Sequence, residues 1–178
     1  AAQPYTESDT PNPRSVYGRT KLAGEQAVLT ACPDAVILRT AWVFSRDGRN
    51  FVNTMLRLAG EHDRLTVVAD QFGSPTLADD LARATVEIID RIAGGKVAGT
   101  GGLYHATGGG ETSWHGFAEK IMALAGKTNV EVAPIATADY PTPAPRPARS
   151  VLSNRKLKQV FGIELPPWED ALRRCLQG

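Results

Sequence analysis

The feature that most constrains the fold is the segment AVILRTAWVF at residues 35–44, a nearly continuous run of apolar and β-branched side chains. It lies between the turn-forming pairs Pro33-Asp34 and Asp47-Gly48. A half-exposed strand alternates apolar and polar residues, whereas a strand covered on both faces reads as a continuous apolar run. The sequence therefore predicts a strand over 35–44 that is buried on both faces.

Further strands and helices alternate along the chain. The strands are predicted in RLTVVAD, LYHAT and VEVAPI. The helices are predicted from a cap at Asn12-Pro13 to about Ala31, over 50–60, over 78–93 with a stripe of Leu81, Thr85, Ile88 and Ile92, from Trp114 to Ala125 after the cap Ser113, and in two short segments capped by Ser153 and begun at Pro167. This alternation predicts an α/β layered fold with a mostly parallel sheet.

Composition and charge exclude several classes of protein. The 178 residues are 42% hydrophobic and 22% charged, which is typical of a soluble globular domain. The net charge of +1, with dispersed lysines and arginines, does not indicate a nucleic-acid-binding surface. No apolar run approaches the roughly 20 residues of a membrane span, and the N-terminal residues lack a signal-peptide pattern. We therefore expect a cytoplasmic protein with neither a nucleic-acid nor a membrane partner, whose Cys32 and Cys175 are reduced.

A proline-rich stretch, DYPTPAPRPARS, occupies residues 139–150. Prolines at alternating positions cannot form a helix or a central strand, so an extended polyproline-like segment is predicted to cross the surface. The stretch is either a linker or, through Arg146 and Arg149, a segment that contacts an anion. We refer to residues 139–150 below as the proline-rich segment.

Tyr17 and Lys21 are four positions apart in the first predicted helix and therefore share a helix face. A phenol releases a proton near neutrality only where a nearby cation stabilises the phenolate, and Lys21 would supply that cation. Alone, the pair is better explained by an ordinary amphipathic helix, which supplies many such neighbours. Small residues around it, such as Gly18 and Ala23, and the buried strand that follows favour the functional interpretation.

The motif VYGRTKLAGE resembles the Tyr-x-x-x-Lys signature of the extended short-chain dehydrogenases/reductases. The resemblance extends over almost the full chain to the family of dTDP-4-dehydrorhamnose reductases, through YTESDTPNPRSVYGRTKLAGE, ILRTAWVF, NFVNTMLRLA, DQFGSPT, GLYHATGGGETSWHGFA, YPTPAPRPARSVL and LPPWEDAL in that order. It implies the closing part of a Rossmann-like NAD(P)-binding fold with a small α/β substrate-binding domain.

The resemblance also implies a reaction and a cofactor. A member of this family reduces the C4 keto group of dTDP-4-dehydro-L-rhamnose with a hydride from NADPH or NADH, giving dTDP-L-rhamnose. Tyr17 would be the general acid, and Lys21 would assist it and bind the nicotinamide ribose. Thr40 and Ala41 would line the cofactor. The sequence contains no cluster typical of a metal site, so a divalent ion such as Mg²⁺ is not specified.

The implied substrate site draws on four separate segments. Trp42 would be an aromatic wall for the sugar, and Arg146 would contact the diphosphate. Other residues would hold the nucleotide: Asn50, Phe51, Gln71, Phe72 and Pro75. For Trp42 a core position is the alternative, and for Gln71, Asp70 and Asn50 a turn or capping role is as well supported. Asp70 is left outside the predicted site.

GGGETS at 108–113 does not match a dinucleotide-binding motif, and no Gly-rich pyrophosphate turn precedes Tyr17. We therefore expect a single C-terminal fragment, 1–178, inactive alone, in which a remnant of the cofactor-binding domain, mainly 1–45, is interleaved with the substrate-binding domain, mainly 46–178. Self-association, for example as a homodimer, would cover the open edge of the strand at 35–44. The alternatives are a non-catalytic sugar-nucleotide-binding or regulatory protein and another NDP-sugar reductase or epimerase.

Overall fold

The computed structural model describes residues 3–97, 99–142, 144 and 146–177. Pro143 and Pro145 of the predicted polyproline-like segment lie outside the described residues. The helices are α1 (Val16–Ala31), α2 (Phe51–Leu58), α3 (Ala78–Ala93), α4 (Trp114–Leu124), α5 (Arg155–Phe161) and α6 (Trp168–Gln177), with a 3₁₀ turn at Thr137–Asp139. The strands are β1 (Val36–Arg39), β2 (Val43–Phe44), β3 (Arg64–Val68), β4 (Phe72–Gly73), β5 (Thr76–Leu77), β6 (Gly102–His105), β7 (Thr112–Ser113) and β8 (Glu131–Ile135).

The strands form pairs, and this corrects the expectation of one mostly parallel sheet. Parallel pairs join β1 to β6, β2 to β5 and β3 to β8, and an antiparallel pair joins β4 to β7. Parallel pairing prevails because helices connect most partners, and a helical crossover returns the chain in the same direction. The α/β class is confirmed.

The predicted strand at 35–44 is broken into β1 and β2, so the prediction of one strand buried on both faces is wrong. Between them Trp42 has a φ of 49°, in the left-handed region that side chains rarely adopt. This turn sends β1 to β6 and β2 to β5. The residues of β1 are half-buried, because among the described residues β1 pairs with β6 alone.

Two apolar cores hold these elements together. The larger core packs α2, α4 and α6 against β2, β3 and β5, with Phe44, Phe117 and Leu172 almost fully buried. The smaller core joins α3, β6 and α5 around Tyr104 and Phe161, whose rings meet edge to face at 5.1 Å. Within the described residues, no helix is both long and apolar enough to cross a membrane.

Helix α1 begins at Val16, three residues later than the predicted start, and ends at Ala31 as expected. Ser15 is its cap, since its Oγ accepts a hydrogen bond from the backbone N–H of Gly18 at 3.0 Å. Both Asn12 and Ser15 are good capping residues, and the sequence does not decide between them. No residue of α1 is buried, and its side-chain tie to the sheet is a bidentate ion pair of Glu25 with Arg39 at 2.6 and 2.8 Å.

Three further helices differ from the prediction in detail. In α3 the buried face carries Asp80, Ala84 and Ile88, whereas Ile92 of the predicted stripe is exposed. Asn154 takes the position before helix α5, but its side chain bonds the backbone of Thr107, and the hydroxyl of the predicted cap Ser153 accepts from the N–H of Arg155 at 3.4 Å. Helix α6 begins one residue after the predicted start.

Candidate functional site

Two adjoining cavities lie between α2, β3, the start of α4 and the proline-rich segment. The larger has a volume of about 670 Å³ and the smaller about 300 Å³. Gln71, Trp114 and Arg146 line both, so the cavities meet at these side chains. The smaller cavity is completed by Trp42 and Pro147. The larger is completed by Phe51, Thr54, Met55, Leu58, His62, Arg64, Leu65, Thr66, Val67, Val68, Tyr140 and Thr142.

The wall of the smaller cavity is a pair of stacked tryptophans. The rings of Trp42 and Trp114 lie 3.5 Å apart between centroids and are within 7° of parallel. Phe51 extends the cluster into the larger cavity, with its ring 4.6 Å from that of Trp114. Trp42 reaches this position through its left-handed backbone and through the absence of a side chain at Gly73. A Cβ at Gly73 would come within 2.3 Å of the Trp42 indole.

Replacing Gly73 by Ala should therefore displace the Trp42 ring and abolish the stack. We expect a loss of stability of about 1 kcal/mol, which is the contribution typical of an aromatic pair. Near-ultraviolet circular dichroism would report the loss of coupling between the two indoles. In a Trp42→Ala background the same Gly73→Ala change should have little effect. An unchanged spectrum for Gly73→Ala alone would contradict the contact.

Arg146 is the cationic side chain that lines both cavities. Opposite it, buried Gln71 donates from Nε2 to the hydroxyl of Thr137 at 3.0 Å and accepts at its backbone carbonyl from the N–H of Trp114. Gln71 thus joins the segment after β3 to the start of α4 and to the 3₁₀ turn. The junction of the two cavities combines one cation, one amide and an indole.

Three predicted substrate residues lie outside the lining of both cavities. Asn50 caps α2, accepting from the N–H of Asn53 at 3.1 Å and donating to the carbonyl of Ser45 at 2.8 Å. Phe72 pairs with β7 and with Arg149, and Pro75 is fully buried. Phe72 lies in β4 and Pro75 lies directly before β5. Trp42, Phe51, Gln71 and Arg146 are the predicted substrate residues that the fold does bring together.

The predicted catalytic and cofactor residues are accessible but lie apart from the cavity walls. Tyr17 is 71% exposed, and the ammonium of Lys21 lies 5.7 Å from the centroid of its ring. Thr40 and Ala41 follow β1 and lead directly to Trp42. The segment predicted to line the cofactor therefore ends where the smaller cavity begins.

The sequence interpretation missed several residues that line the cavities, chiefly Trp114, Tyr140 and Thr142. A tryptophan at the first position of an apolar helix is usually interpreted as a core residue, so the sequence does not predict Trp114 as a cavity residue. Tyr140 and Thr142 belong to the proline-rich segment, where an aromatic and a hydroxyl beside arginines were a usable signal of ligand contact.

Metal-ligand geometry is a separate matter. Over the ranges 3–97, 99–142, 144 and 146–177, no three His, Cys, Asp or Glu side chains are grouped so as to hold a metal ion.

A family model described as RmlD substrate binding domain matches residues 1–178, the whole chain. The chain belongs to this family. The resemblance inferred from the motifs is thereby confirmed.

Individual relatives of the chain agree with this family match. A dTDP-4-dehydrorhamnose reductase of Sinorhizobium fredii is 49% identical over 97% of this chain and 60% of the relative. The crystal structure of a dTDP-4-dehydrorhamnose reductase from Clostridium acetobutylicum matches with a TM-score of 0.91 at 42% identity, covering 99% of this chain and 60% of that one. A Bacillus anthracis dTDP-4-dehydrorhamnose reductase solved in complex with NADP matches with a TM-score of 0.88 at 36% identity. This match covers 97% of the present chain and 58% of the Bacillus anthracis chain.

These matches confirm the expected fold class, an α/β fold of the Rossmann type with a substrate-binding portion. They also show what share of each relative the chain covers. The chain spans about 60% of the relatives that it matches.

Proposed function

We propose that the whole protein reduces dTDP-4-dehydro-L-rhamnose to dTDP-L-rhamnose, with NAD(P)H as the hydride donor. The names of the RmlD relatives support this reaction, and the NADP complex of the Bacillus anthracis relative supports the cofactor. In this proposal the present chain supplies the site for the nucleotide sugar, together with the proton donor Tyr17.

The observation that carries the proposal is the pair of cavities that meet at Arg146. A nucleotide sugar has two bulky ends joined by a diphosphate, so it needs two compartments with a cation between them. The larger cavity, with Phe51 and Met55, suits the deoxynucleoside, and the smaller one, with Trp42, suits the sugar. Arg146 would form charge-assisted hydrogen bonds with the diphosphate.

Tyr17 and Lys21 would act at the keto group of the sugar, where the reaction takes place. Both are exposed on α1, so the phenol and the ammonium are free to approach a keto oxygen and a cofactor ribose. Hydride transfer is the chemistry that the nicotinamide would supply when bound. Lys21 would stabilise the negative charge left on the Tyr17 oxygen after it protonates the sugar. Thr40 and Ala41 would lie against the nicotinamide.

Arg146→Ala should weaken the binding of dTDP by about 1.5 to 3 kcal/mol, because the diphosphate would lose a charge-assisted contact. Calorimetric titration of this chain with dTDP measures the change. Arg173→Ala is the matched control, since Arg173 pairs with Asp170 on the exposed face of α6 and lines neither cavity. Equal affinity for wild type and Arg146→Ala would return Arg146 to a linker role, and absence of dTDP binding by the wild type would refute the proposed site.

A further inference from the structure

Arg146 belongs to a segment that reaches the cavities from outside and is not part of a helix or a strand. In its described residues 140–142, 144 and 146–148, the recorded side-chain hydrogen bond joins the Thr142 hydroxyl to the carbonyl of Ala144 at 2.8 Å. Proline has no N–H with which to join a ladder. The place of Arg146 is therefore set by how the two ends of the segment are held.

The near end is held by Asp70. Thr137, at the start of the 3₁₀ turn, donates its backbone N–H to the Asp70 carboxylate at 2.9 and 3.0 Å and its hydroxyl at 2.6 Å. Thr137 in turn accepts from Gln71, which lines both cavities. These bonds, the side-chain bond first, lower the pKa of Asp70 below its ordinary value, so the acceptor is the carboxylate at neutral pH.

The far end is held by Phe72 and Glu111. The N–H of Phe72 donates to the carbonyl of Ala148, and its carbonyl accepts from the N–H of Ser150, each at 2.8 Å. Beside this bridge, Arg149 forms a bidentate pair with Glu111 at 2.9 and 2.5 Å. The Arg149 side chain is 22% exposed, so this pair is better shielded from water than most surface pairs.

Both ends thus rest on one short stretch, Asp70 to Phe72, directly after β3. The middle residue of that stretch, Gln71, is also the amide that faces Arg146 across the junction of the cavities. Arg146 and its counterpart are therefore fixed to the same piece of backbone. Neither Asp70 nor Glu111 lines either of the two adjoining cavities.

We propose that Asp70 and Glu111 are positioning residues for the nucleotide diphosphate, because they fix the two ends of the proline-rich segment and so hold Arg146 between the cavities. The inference rests on the proposed function, since it specifies how that site is built. It assigns a role in ligand binding to two carboxylates that contact no ligand. Substrate affinity should then depend on contacts made outside the cavities.

Calorimetric titration of the chain with dTDP tests this proposal in single variants. Asp70→Asn and Glu111→Gln should each weaken binding about fivefold, within the range of coupling between neighbouring groups. Thr137→Val, which removes one hydroxyl, should act like Asp70→Asn, whereas Thr137→Ser should restore wild-type affinity. Asp139→Asn is the control for loss of charge, because Asp139 lies in the same 3₁₀ turn and its carboxylate makes no hydrogen bond with the part of the chain that the structure describes.

A double-mutant cycle with Arg146→Ala separates positioning from general loosening. If Asp70 acts through Arg146, adding Asp70→Asn to Arg146→Ala should change dTDP affinity less than about twofold. An undiminished fivefold loss in that background, or no loss in the single variants, would overturn the proposal while leaving the proposed function intact. Failure of the wild type to bind dTDP would refute both the proposed function and the positioning role of Asp70 and Glu111. Should Asp70→Asn not fold, Thr137→Val takes its place in the cycle.

Discussion

Replacing Tyr17 by Phe should lower the turnover of the whole protein by about 10²-fold or more, with little change in the KM for the sugar nucleotide. Phenylalanine keeps the ring beside Lys21 but removes the proton that the keto oxygen needs in the transition state. The substrate would still bind through the two cavities, which lie apart from Tyr17. Steady-state reduction of dTDP-4-dehydro-L-rhamnose, followed by loss of NADPH absorbance, measures the effect.

Tyr5→Phe is the matched control, because it makes the same chemical change on a residue outside both cavities and outside α1. Its turnover should equal that of the wild type. A Tyr17→Phe variant with near wild-type turnover would remove Tyr17 from the mechanism. If neither wild type nor variant reduced the substrate while dTDP still bound, the non-catalytic sugar-nucleotide-binding interpretation would be favoured.

Gly108→Ala should destabilise the chain by about 3 kcal/mol or more, at the upper end of the cost of overpacking. A Cβ at Gly108 would lie 2.1 Å from the backbone carbonyl oxygen of Pro75, and both residues are buried. Neither backbone can move cheaply, since the N–H of Gly108 also donates to the Thr76 hydroxyl at 3.1 Å. Urea-induced unfolding would give the loss as a lower transition midpoint.

Gly24→Ala is the opposite case and serves as the control. Among the described residues, apart from the chain neighbours of Gly24 and the backbone of α1, no atom lies within 4 Å of the position of a Cβ at Gly24. Alanine there should raise stability by about 0.5 to 1 kcal/mol, because glycine loses more conformational freedom in a helix. A Gly108→Ala variant as stable as Gly24→Ala would show that the approach of Gly108 to Pro75 is not close.

The elements that could be predicted are those coded by neighbouring residues. Helix α4 begins after its cap, where Ser113 accepts from the N–H of Gly116 at 3.0 Å, and β3 occupies the apolar run that predicted it. The break at Trp42 could not be predicted, because an apolar run indicates burial and says nothing about direction. A left-handed tryptophan is also uncommon, so only its packing against Gly73 and Trp114 explains it.

The cavity residues also divide into those that a local sequence pattern indicates and those that depend on contacts between distant parts of the chain. Trp42 and Arg146, predicted from motifs, line the cavities, whereas Asn50, predicted for the same site, caps α2 and lines neither cavity. An asparagine before a helix is chemically suited to both roles, and only the position of the neighbouring backbone decides between them. Trp114 and Arg146 line the same cavities because distant parts of the chain pack together, which no local pattern reports.

The lack of buried residues in α1 affects how readily that helix opens. Amide hydrogen exchange reports the free energy of opening of each segment, and segments with few buried contacts open at a low cost. A helix of about this length is only marginally stable without tertiary packing. In a chain of these 178 residues, α1 should therefore exchange its amides by local unfolding, while α4, between α2 and α6, is protected up to global unfolding. The proposed proton donor Tyr17 thus lies on α1, a helix that opens readily. A well-defined geometry of Tyr17 and Lys21 therefore depends on tertiary contacts that pack against α1.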